Sequence, residues 1–513
     1  MILLADYEQK LVVPRWLNYA KAVKTRELTN PAIGQFVLSE LTKKHLASDY
    51  SEFKYSPTPH RAADLMGAAF VIGDESIAKE TARFIKDNPV LHQPVLDLAS
   101  HILGERLPGG VSSDIRTRIA QSRKFLSEYP NNALAWIERA RCHTIAGHVE
   151  KAEQCVRIAI NLAPYDRFIV RSAARFFLHS DKIDQAWDCI KRASAVQFDP
   201  WIKATEISIA EVMKKSVKKL KGLVPTGATP DTMFFYSELI ESYGMLELLN
   251  GNDNRAKKFF KLAWANPSHN VVTHSEWIVR AHFPAMAEMA EGNFGESIEA
   301  TAWQKYHHMK IDDALVAAIE WGLEEPYAKN AFSLGSSLAF QKHNYDQGVR
   351  IAKNGLRASP NEFGLQNNLC FGLLKSNNVV DAEAAFSKIV APTEGAPHIV
   401  YTATKGLLEY KRGNIIKGRI LYSEAISEAE KITDKRLLAN AVMNFAIAEI
   451  ESNTPEAKTY GNTALKLFEK FNDASVIMTR QLLNERLESL NENSIPSVFK
   501  DFQKPRILIP PRI

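Results

Sequence analysis

The sequence predicts an all-α chain built as a superhelical solenoid of antiparallel helix pairs, with a helical cap region at its N-terminal end. Three observations predict it. In residues 131–164, NNALAWIERARCHTIAGHVEKAEQCVRIAINLAP, small and apolar residues recur at helical spacing on two segments parted by a turn at Gly147 and His148. Advancing Ala140, Ala152, Cys155 and Ala159 by 34 residues lands on Ala174, Ala186, Cys189 and Ala193, a register that unrelated helices have no reason to keep. Pro164 then follows the second segment, where a proline stops a helix and lets the next pair begin.

The register continues along the chain. Gly244, Gly251, Ala256 and Ala263 keep the same internal offsets, with Pro267 one residue early. Phe332 and Pro360 keep the separation of Trp136 and Pro164, while Gly348 and Ala352 recur as Ala382 and Phe386, and Gly406, Gly413, Gly418 and Ala425 extend the series. Weaker helix pairs are expected over residues 285–303, with the turn at Gly292, and over 439–471, with the turn at Asn453 and Pro455. Residues 1–107 are helix-rich but poorly periodic; Gly67, Phe70, Ala78, Ala82 and Pro89 suggest one degenerate pair, and the region is expected to cap the array. Helix-ending residues cluster at 107–113, 222–231 and 391–397. The expected division is therefore 1–107, an array over 112–221, its continuation over 231–493, and a proline-rich basic and apolar tail over 494–513.

These residues resemble the tetratricopeptide repeat, with Trp136 early in the first helix, Ala140, Gly147, Ala152 and Ala159 at close-packed places, and Pro164 after the second helix. The resemblance covers residues 112–471 as about eight or nine hairpins. It implies a concave groove lined by the first helices, where Glu138, Arg141, Arg171 and Arg175 would face a ligand, an acidic protein segment for preference. Relatives that capture chaperone tails use lysines and asparagines at set groove positions; here only Asn368 matches, with Leu334 and Thr404 at other such places, so that ligand is disfavoured. The implied function is a protein-binding scaffold or adaptor, with a regulatory subunit of an enzyme or transcription complex as the alternative.

Bulk properties fit that expectation. A chain of 513 residues, 45% hydrophobic and 24% charged, has material for a long stack of small cores. Its net charge of +5 is the small difference between 64 basic and 59 acidic residues, so any basic function must be local. The concentrated run Lys214, Lys215, Lys218, Lys219 and Lys221 is expected on the helix that begins near Trp201. It is a solvated face or a dock for phosphates or an acidic protein; a nucleic-acid-associated factor acting through this patch is a further alternative, disfavoured because no aromatic stacking motif accompanies the lysines. Four cysteines without a CxxC pair read as free thiols of a reducing, cytoplasmic compartment, and no export or membrane segment is expected.

Chemistry is sparse. The phosphate-loop, HExxH, GxSxG and GxGxxG signatures are absent, and neither enzyme activity nor a cofactor is expected. His269, His274, Glu276 and His282 form the nearest metal-like cluster, but a helix sets the first two about 140° apart. Cys155 and Cys189 share one repeat position and are expected to pack as small hydrophobes.

Overall fold

A computed structural model describes residues 14–17, 22, 40–72, 74–88, 93–103, 115–196, 199–215 and 230–492. Among these residues every regular element is helical. They fall into two compact units. The N-terminal unit takes the described residues between Asp6 and Ala300 together with Leu323–Glu325; the C-terminal unit takes Thr301–Gly322 and the described residues from Pro326 onward. The tail over 494–513 and most of the breaks at 107–113 and 222–231 lie outside the described residues.

The N-terminal unit opens with α1 (Glu40–Tyr55), α2 (Pro59–Ile72), α3 (Glu75–Asp87) and α4 (Gln93–Ile102), whose core joins Phe53, Leu65, Ala78, Ala82 and Leu98. There follow α5 (Ile115–Glu128), the pair α6 (Ala133–Ile145) and α7 (Val149–Leu162), the pair α8 (Arg167–His179) and α9 (Ile183–Val196), α10 (Pro200–Val212), the pair α11 (Pro230–Leu249) and α12 (Asp253–Ala263), then α13 (His269–Ala281) and the short α14 (Ala287–Glu291). After α15 (Ile298–His307) and α16 (Ile311–Glu324), the C-terminal unit pairs α17 (Lys329–Gln341) with α18 (Tyr345–Ala358) and α19 (Phe363–Lys375) with α20 (Val379–Phe386). It then pairs α21 (Gly395–Lys411) with α22 (Ile415–Lys431) and α23 (Lys435–Glu451) with α24 (Ala457–Leu467), and closes on α25 (Ala474–Glu492). These are tetratricopeptide-like helix pairs.

Local chemistry sets the helix bounds. First helices begin on side chains that accept from otherwise unpaired amides: Asn132 from Ala135, Asp166 from Ile169, Asp199 from Trp201 and Ile202, Ser268 from Val271. Apart from α13, they end on one residue of positive φ, after which an amide turns back to a carbonyl five residues earlier, as from His148 to His143 (2.8 Å), Lys182 to Phe177 (2.8 Å), Asn344 to Ala339 (2.9 Å) and Asn378 to Leu373 (2.9 Å). The residues of positive φ include Gly147 and Asp181, 34 apart, and Met309, His343 and Asn377 at the same spacing.

The expected pair over 285–303 takes a different form. Gly292 has an ordinary φ of −57° and makes no hairpin turn; α13 is followed by two 3-10 turns and the five-residue α14. Phe283, Met286, Ala290 and Phe294 pack from this irregular stretch against Phe260 and Trp264, doing what a full second helix would do. The turn comes later, at Met309 (φ 59°), between α15 and α16.

Close packing in the C-terminal unit turns on aromatic rings seated over glycines. A Cβ on Gly348 would lie 2.2 Å from the Phe340 ring and one on Gly372 would lie 2.6 Å from it, so α17, α18 and α19 approach only because both positions lack a side chain. No helix of the described residues is long and apolar enough to cross a membrane. Replacing Phe340 with alanine is expected to cost about 3–5 kcal/mol locally. Hydrogen exchange should then show faster opening of α17–α20 with α6–α9 unchanged; equal protection in both would contradict this packing.

Candidate functional site

Two first helices of the N-terminal unit, α8 and α10, are buried almost all round. Every residue of α8 from Arg167 to Leu178 is buried, as are most of those in α13. Charges on such helices must be matched. Arg171 donates from Nη2 to Glu238 Oε2 at 2.8 Å, and its guanidinium lies 4.7 Å from the Trp201 ring centre. Arg167 bonds Asp199 at 2.6 Å and shares the same ring. Glu238, on α11, also accepts from Ser268 Oγ (2.9 Å) and Asn270 Nδ2 (2.8 Å), so one carboxylate ties α8 to the start of α13. Burial pushes the Glu206 carboxyl up, but bonds from Lys191 and Lys203 outweigh it and hold the group below its ordinary range.

The groove residues expected from sequence are placed as follows. Arg141 is buried and bonds Glu138 through Nε (3.0 Å) and Nη2 (2.6 Å). Arg171 faces Glu238, and Arg175, also buried, draws the Glu299 carboxyl downward. Asn368 is buried in the C-terminal unit and donates to Ser336 Oγ at 3.0 Å and Ser337 Oγ at 3.3 Å, joining α19 to α17. Thr404 likewise bonds Asn367 at 2.7 Å, joining α21 to α19. Arg141 and Glu138 pair within α6, whereas Arg171, Asn368 and Thr404 each join one first helix to another.

Lys214 and Lys215 lie beyond the end of the expected helix. α10 ends at Val212, and Lys214, at φ 53°, forms the turn beyond it because the helix closes there with the same backward bond, from Lys215 to Ala210. Lys215 lies over the Trp187 ring at 4.9 Å. Lys218, Lys219 and Lys221 lie outside the described residues.

One occupant of the first-helix face was not legible as a motif. Pro14, Arg15, Trp16 and Leu17 have no regular structure, yet all four are buried. The Arg15 amide donates to Asn270 Oδ1 at 3.2 Å. Its guanidinium reaches Glu299 at 2.8 Å and Glu325 at 3.3 Å. Trp16 meets Phe176 of α8 edge to face, with ring centres 6.0 Å apart. Burial works against the Arg15 charge, but Glu325, Glu299 and Glu324 together strengthen it beyond the usual arginine range. The only sequence signal was an arginine and a tryptophan side by side at the end of an apolar stretch.

Within the C-terminal unit, charge gathers around the end of α23. Lys375 of α19, Lys411 of α21 and Arg486 of α25 converge on Glu451 of α23, and His343 reaches Glu485 of α25 at 3.2 Å. Arg419 grips Glu449 through Nε (2.6 Å) and Nη2 (2.8 Å), and Tyr410 and Thr454 donate to the same carboxylate.

Of the metal-like cluster, His274 stacks on Trp277 and lies 3.2 Å from Glu241, while His282 meets Trp277 in a T-shaped contact with ring centres 4.9 Å apart. All four cysteines are free. Burial pushes the thiols of Cys142, Cys189 and Cys370 up to about 12 and raises that of Cys155. Cys189 lines a cleft of about 240 Å³ between α7 and α9, where a thiol so disposed is a poor nucleophile.

No family model matches the sequence, and no curated protein does. Among solved structures, the chain is similar to one from the APC/C hetero-tetramer Cut9-Hcn1 at 13% identity and a TM-score of 0.40, covering 93% of this chain and 95% of that one. It is also similar to yeast Tom70 at 11% identity and a TM-score of 0.27, covering 92% and 96%.

Two outcomes are expected from this chemistry. At pH 8 iodoacetamide should leave the four thiols of the native chain largely unmodified and label all of them in denaturant; rapid native labelling would contradict their burial. Burial raises the Glu276 carboxyl to about 7, with Arg280 opposing the shift. Its folded value thus exceeds its unfolded one, so its contribution to stability is complete below about 4.5 and is lost as pH rises through 7. Glu276→Gln should therefore stabilise the fold by about 3 kcal/mol at pH 8 and by little at pH 4.5, measured by denaturant unfolding.

Proposed function

We propose that the chain is a non-catalytic adaptor that holds an extended segment of a partner protein along its first-helix face. One observation carries this reading: a four-residue segment of irregular backbone already lies buried on that face, with its amide, its cation and its aromatic ring each received by a different helix or loop residue. A surface that accepts a main-chain amide and separate side-chain anchors has the chemistry of segment recognition. Support also comes from the cysteines, whose free, buried thiols suit a reducing compartment such as the cytoplasm.

The test is purification from the native host under mild conditions, followed by hydrogen exchange on the copurified complex. A near-stoichiometric partner that slows exchange in the first helices α8, α13, α17 and α19, relative to the second helices α7, α9, α18 and α20, is the expected result. Absence of any partner, or protection confined to the second helices, would overturn the reading.

A further inference from the structure

The seat of residues 14–17 is built by side chains far away in sequence. Asn270 presents its carbonyl to the Arg15 amide because its own amide is held by Glu238, which Arg171 and Ser268 fix in turn. Glu299 and Glu325 place two carboxylates within 3.3 Å of one guanidinium. Phe176 offers a ring edge-on to the indole beside it. Backbone capture, paired carboxylates and an aromatic anchor in one place together specify a short chemical sequence.

We propose that this seat is a recognition site for an extended segment carrying arginine followed by tryptophan, filled in the free chain by its own residues 14–17 and taken by a partner segment of the same chemistry when that displaces them. This rests on the adaptor reading and names the ligand class of its N-terminal unit. The seat suits a cation: Glu299 and Glu325 both bear on the Arg15 guanidinium, and burial, which pushes the Glu299 carboxyl up, is opposed by Arg15 first and Arg175 after it. The resident segment competes as a tethered ligand, with an effective concentration of roughly millimolar. An incoming segment must exceed that, or bind better, to enter.

The experiment uses the full chain and a fluorescent peptide of residues 12–19, VVPRWLNY. The variant Arg15→Ala with Trp16→Ala vacates the seat; with its circular dichroism unchanged, it is expected to bind the peptide about tenfold or more tightly than the wild-type chain does. Peptides carrying Arg15→Ala or Trp16→Ala should lose about tenfold or more in affinity for that variant. Where the double variant fails to fold, the wild-type chain serves instead: millimolar peptide should speed hydrogen exchange at the Arg15 amide. No binding and no acceleration, or equal binding of the alanine peptides, would overturn the proposal. So would a concentration-dependent dimer that disappears in the double variant, which would assign the seat to a second copy of this chain. A copurified partner that protects the first helices while the peptide fails leaves the adaptor reading standing and removes only this ligand class.

Discussion

One backbone event sets the form of each unit: a first helix ends, a single residue takes positive φ, and the amide beyond it turns back onto a carbonyl five residues earlier. That closure reverses the chain within a few residues and fixes the second helix beside the first. Because it recurs at a nearly constant interval, first helices stack with like positions aligned. Side chains of helices that are not neighbours in sequence then meet, as Lys375 of α19 meets Glu451 of α23.

Where glycine makes the turn, as at Gly147, Gly251 and Gly413, the event was readable in the sequence. Where Asp181, His343 or Asn377 makes it, the residue type is only a weak mark that the 34-residue register sharpens, and Met309 carries no mark at all. The pair at 285–303 was misplaced for this reason: Gly292 drew the turn to itself, while Met309 carried none of the usual signs. The candidate site was less legible still. Arginines at first-helix positions could be located, but not their partners, because Glu238 stands 67 residues from Arg171 and Asn270 stands 255 from Arg15. No local pattern can report a contact that only the stacking creates.

The interior of the first-helix face is polar to an unusual degree. Glu206, Glu238, Glu241, Glu449 and Arg171 are each almost wholly removed from solvent. Such pairs add little net stability over apolar packing, yet losing one partner costs several kcal/mol, so they select the one arrangement in which every charge is met. Asn368 and Thr404 do the same with neutral groups, each bonded to the first helix before its own.

Arrays of helical repeats ordinarily touch only their immediate neighbours, which lets whole repeats be gained or lost with modest penalty. Here Lys375 bonds past α21 to Glu451, and Arg15 is gripped by residues more than 280 positions away. Duplicating or deleting one unit at the level of the gene would slide those partners out of register and strand charges at several places together. An array tied together in this way accommodates single substitutions more readily than a change in the number of its repeats.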